Sequence, residues 1–132
     1  MARKEAEIKI EDGRDAGKVF KITEMPAVQM DKWATRALLL MGKSGTGIGM
    51  LAAMNLEDIL EALSKASYEE TEKLLEELLA CASFMKDGVS VPMKGEMVNS
   101  VIEEWTTIFR LRIEALKLNL GFLELGGEST SE

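Results

Sequence analysis

The chain has 132 residues, 46% apolar and 30% charged, with a net charge of −7, a globular composition with room for one hydrophobic core. It holds no histidine and one cysteine, Cys81, which removes the commonest general base and metal ligand, excludes an internal disulfide and points to a reducing compartment. Residues 1–45 carry nine Lys/Arg against seven Asp/Glu, residues 46–100 four against ten and residues 101–132 three against six, a balance that repels phosphate and argues against nucleic acid as a partner.

Residues 5–10 alternate, with Ala6, Ile8 and Ile10 on one side, and residues 18–23 place Phe20 and Ile22 on one side. With the turn formers EDGRDAG between them, residues 5–24 read as a β-hairpin, which is marginal in water unless it packs on helices or another subunit. Pro26 opens a helix over about 26–41 whose buried stripe is Val28, Trp33, Ala34, Ala37, Leu38 and Met41. The glycine-rich stretch 42–49 breaks it. A second helix, about 50–66, carries Leu56, Ile59, Leu60 and Leu63 at helical spacing. Ser67 and Glu70 form a capping-box signature for a third helix over 68–86, with Leu74, Leu75, Leu78, Leu79 and Ala82 opposite Glu69, Glu72, Glu76 and Glu77. Asp87-Gly88 ends that helix, and 89–92 reads as a short extended connector.

The last helix, about 97–122, carries two apolar stripes. One runs Val98, Val101, Ile102, Trp105, Phe109, Leu116 and Leu120; the other runs Ile108, Leu111, Ala115, Leu118 and Phe122. A surface helix needs one stripe, so the second implies a helix covered on two sides or a face kept for a partner. Trp33 and Trp105 read as core anchors. The expected architecture is therefore mainly α, about four helices packed with an N-terminal β-hairpin in one domain over 1–125, followed by a disordered tail, 126–132.

Chemistry finds little support in the residues. Residues 37–44, ALLLMGKS, fit a loose phosphate-loop pattern, but the variable positions end a helix and the glycines other than Gly42 follow Lys43-Ser44 instead of preceding them. The run 45–49 misses the dinucleotide fingerprint. Glutamate pairs sit opposite apolar stripes, as solvated faces do, and Cys81 has no histidine to activate it. The expectation is a protein that is not an enzyme, with no nucleotide, cofactor or metal.

No apolar run exceeds the length of residues 37–41, far below the ~20 residues that span a bilayer. The opening MARKEAEIKI returns to charge too soon for a signal segment. No membrane partner is expected. What remains is binding, and nine methionines suit it, because an unbranched, polarisable side chain accepts varied apolar partners. The candidate interaction surface comprises Met25, Met41, Met50 and Met54 together with Ile108, Leu111, Leu118 and Phe122. Free hairpin edges and the second stripe also point to a homo-oligomer.

Residues 13–39 add a resemblance. The Gly13-Arg14-Asp15-Ala16-Gly17-Lys18 turn, the Phe20-Lys21-Ile22-Thr23-Glu24-Met25 strand end and Lys32-Trp33-Ala34-Thr35-Arg36 resemble the N-terminal region of tail assembly chaperones of long-tailed bacteriophages. Residues 111–122, LRIEALKLNLGF, look like that family's closing region. The resemblance implies a protein of the host cytoplasm that binds the long helical tape measure protein, keeps it soluble, promotes assembly of the tail tube protein around it and is absent from the finished virion. The alternative is a structural head–tail connector or tail accessory protein retained in the particle.

Overall fold

The computed structural model describes residues 3–40, 57, 61 and 67–120. The expected hairpin forms: β1 (Glu5–Lys9) pairs antiparallel with β2 (Val19–Thr23), Ile8 opposite Phe20 and Ala6 opposite Ile22. The loop between them turns through Gly13 and Gly17, at φ +81° and +91°, a left-handed region in which a Cβ is strained. Helix α1 (Ala27–Leu40) follows. Its Trp33 is fully buried and donates its indole N–H to the Leu74 carbonyl at 3.0 Å, so the largest side chain of the core has its one polar atom satisfied.

Helix α2 (Tyr68–Leu79) is shorter than the helix expected over about 68–86. Ser67 stands at its N-cap position but makes no side-chain cap bond, and the helix stops at Leu79. The residues expected to continue it form β3 (Ala82–Lys86), which pairs with β2 so that Phe84 lies opposite Phe20 and Ala82 opposite Ile22. The two phenyl rings sit 5.5 Å apart, tilted by 49°, a geometry favourable for aromatic pairs. The supposed connector is β4 (Val89–Pro92), paired with β3. Asp87 and Gly88 both take positive φ, +53° and +78°, the two-residue turn whose twist suits a β-hairpin.

The mainly α expectation therefore fails. Among the described residues the fold is a four-stranded antiparallel sheet, in the order β1-β2-β3-β4, with four helices. Phe20, Ile22 and Ala82 on one sheet face join Trp33, Ala37, Leu74, Leu78, Leu111, Ala115 and Leu116 in a single core. The opposite side of β1 presents Glu5, Glu7 and Lys9 to solvent.

The last helix is also two helices, α3 (Met97–Val101) and α4 (Trp105–Asn119), because Ile102 and Glu104 are extended. The helix expected over 50–66 falls mostly outside the described residues, where only Glu57 and Glu61 are seen, both helical. The glycine-rich stretch 42–49 and the tail 126–132 lie outside them as well.

Candidate interaction surface

The orientation of α4 is set by a side chain from the hairpin loop. Asp15 is fully buried, and its carboxylate accepts the amide N–H groups of Glu103 (2.9 Å) and Glu104 (3.0 Å), the Thr107 hydroxyl (2.6 Å) and the Lys18 ammonium (2.7 Å). An anion at a helix N-terminus satisfies donors that have no intrahelical partner. Lys18 also donates to the Val101 carbonyl at the end of α3, so one loop ion pair closes α3 and opens α4. Burial works to raise the Asp15 pKa, but Lys18, Thr107 and the two amides outweigh it and hold the carboxyl at about 2.

At the far end of α4 the buried Asn119 accepts the Met25 amide at 2.7 Å and donates to the Ala115 carbonyl at 2.8 Å. It also donates to the Cys81 sulfur, 3.6 Å away. Burial, chiefly, pushes the Cys81 thiol up, with Glu77 adding to it against the Asn119 contact, an environment that favours the protonated thiol over a nucleophilic thiolate. Both ends of α4 are thus tied to the sheet layer and to the entry of α1.

Between these ties the two stripes separate. Leu111 and Ala115 are fully buried, and Ile108 and Leu118 are half-buried against the core. The other stripe divides along its length: Leu116 and Leu120 are buried, while Trp105 and Phe109 are 74% and 50% exposed. Trp105 is therefore a surface residue, against the expectation of a core anchor. An indole and a phenyl one helical turn apart and open to solvent form an exposed aromatic face, the candidate interaction surface of α4.

Arg112 follows Phe109 by three positions on α4, and Tyr68 of α2 is near enough to act on its charge. The Arg112 guanidinium lies half-buried between α4 and α2; burial lowers its pKa, against the pull of Tyr68, Glu76 and Glu72. Its Nε is buried and has no hydrogen-bond partner among the described residues. Tyr68, at the start of α2, is 73% exposed. The candidate surface is thus the Trp105 and Phe109 rings on α4, with Arg112 beside the glutamates of α2. A separate cleft of about 510 Å³ between α1 and α2 is lined by Arg36, Leu39, Leu40, Glu70, Lys73 and Leu74.

Of the candidate residues read from the sequence, the four that are described gather in and around the core. Met25 is buried in the core with Leu111. Ile108 and Leu118 are partly buried beside it. Met41, Met50, Met54 and Phe122 lie outside the described residues. Among the other methionines, Met93 is buried and Met97 is exposed. Trp105, Phe109 and Tyr68 were not among the candidates, although the twin stripes of the last helix signalled a second face.

Among the described residues no group of three or more Cys, Asp and Glu side chains is arranged to hold a metal ion. No helix among them is long and apolar enough to cross a membrane. A family model described as phage tail assembly chaperone protein matches residues 16–125. No curated protein and no solved structure matches the chain.

Proposed function

The chain belongs to the phage tail assembly chaperone family, and we propose that it acts in the host cytoplasm by binding the tape measure protein, keeping it soluble while the tail tube protein assembles around it. The action is contact without catalysis: no cofactor, metal or nucleotide enters it. The observation that carries this reading is the open Trp105–Phe109 face on a helix anchored at both ends. A long helical client exposes apolar stripes until the tube encloses it, and a rigid aromatic face covers such a stripe at little cost in side-chain entropy.

The glutamates of α2 beside that face favour a client stripe flanked by lysine or arginine. In this reading Ile108 and Leu118 contribute their accessible edges, while Met25 and Leu111 support the helix from beneath. Met41, Met50, Met54 and Phe122 belong to the proposed contact surface on their chemistry alone, and the protein acts as a homo-oligomer.

A chaperone leaves before the particle is complete. Mass spectrometry of purified virions is expected to find the tape measure and tube proteins without this chain. Detection of the chain at stoichiometric copy number would overturn the reading and favour a connector or accessory protein retained in the tail.

A further inference from the structure

The two edges of the sheet differ. The Ile10 amide bonds to the Lys18 carbonyl at 2.9 Å and the Glu24 amide to the Lys4 carbonyl at 3.0 Å. With the register of β1 on β2, these bonds assign the even-numbered residues of β1 to β2 and turn the N–H and C=O groups of Glu5, Glu7 and Lys9 outward. None of these outward groups has a backbone partner among the described residues.

At the other edge the Met93 amide bonds to the Ala82 carbonyl, which leaves Ser90 and Pro92 as the outward positions of β4. Proline has no N–H to offer there, a device that blunts an edge. Among the described residues the β4 edge is interrupted and the β1 edge is open.

We propose that two copies of this chain pair through β1, antiparallel about Glu7, joining their sheets into one of eight strands. The charge order of the strand fits this occupant. In that register Glu5 lies opposite Lys9 of the partner subunit, and Lys9 opposite Glu5 of the partner subunit. On the inner face, Ala6 meets Ile8 of the partner subunit. The outward groups of all three odd residues then form the ladder bonds that an edge strand lacks. The central Glu7 pair is flanked on each side by Lys21, which lies opposite Glu7 in the β1–β2 register and 3.7 Å from Glu5. This inference rests on the homo-oligomeric part of the reading above and is independent of client binding.

The test is light scattering after size exclusion on the full chain, with circular dichroism to verify folding. The wild type is expected to dimerise. Glu5→Lys and Lys9→Glu each turn both attractive cross-strand pairs into repulsive ones, and each is expected to weaken self-association roughly tenfold or more. Mixed one to one, the two variants restore opposite charges at both positions and are expected to form a heterodimer; the double variant is expected to dimerise with itself. A monomeric wild type at high concentration would overturn the homo-oligomeric reading and this proposal together. A dimeric wild type whose two single variants stay dimeric, or fail to associate when mixed, would overturn the β1 pairing alone.

Discussion

Asp15→Asn is expected to destabilise the protein by about 2–4 kcal/mol. The carboxylate accepts four donors at a site with no solvent access. Asparagine keeps one acceptor oxygen, turns an amide donor toward groups that are themselves donors and leaves Lys18 without its counter-charge. In thermal unfolding followed by circular dichroism, the midpoint is expected to fall by roughly 10 °C.

The same carboxylate gives stability a sign in pH. Its pKa is lowered on folding from the ordinary 3.8 to about 2, so the folded state binds fewer protons than the unfolded chain between those values. The contribution is fully present above about pH 4. It is lost as the pH falls through about 2, an effect of about 2 kcal/mol. Denaturant titrations at pH 5 and pH 2 are expected to show this loss in the wild type and its absence in Asp15→Asn. An equal pH dependence in both would contradict the four-donor site.

The second large effect separates the two stripes of α4. Leu111→Glu places a charge where the leucine has no solvent exposure, and an unpaired buried carboxylate costs a large fraction of the few kcal/mol that hold a domain of this size together. The variant is expected to be unfolded or insoluble. Trp105→Glu, six positions earlier on the same helix, changes a side chain that is 74% exposed, and its unfolding midpoint is expected to stay within a few degrees of the wild type. If Trp105→Glu unfolds the protein as Leu111→Glu does, that face of α4 is not open.

This contrast also marks how far local sequence reading reaches. The first hairpin and α1 were legible because each is encoded by its own periodicity and bounded by turn formers or Pro26. The second hairpin was hidden by helical spacing: Leu78, Leu79 and Ala82 continue the stripe of α2, and Asp87-Gly88 passes equally for a helix stop. Only pairing with β2, where Phe84 meets Phe20, decides for the strand. An Asp-Gly pair flanked by Phe84, Val89 and Val91 was nevertheless a hairpin signal in its own right.

The break between α3 and α4 had no local marker. No glycine or proline occurs from Val101 to Thr107, and the cap that permits the break arrives from Asp15, 88 residues before Glu103. For the surface, the two stripes announced an extra face, yet the sequence held no indication of which stripe meets the core. Tertiary packing buries Leu116 and Leu120 while leaving Trp105 and Phe109 open on the same stripe.

Shielding of an apolar helical client by the Trp105–Phe109 face is read from the soluble fraction of the tape measure protein when co-expressed with the wild type or with a Trp105→Glu/Phe109→Glu double variant that circular dichroism shows to be folded. The wild type is expected to keep the client soluble and the folded double variant to leave it in the pellet. Equal solubility with both, or no gain in solubility from the wild type, would contradict the account.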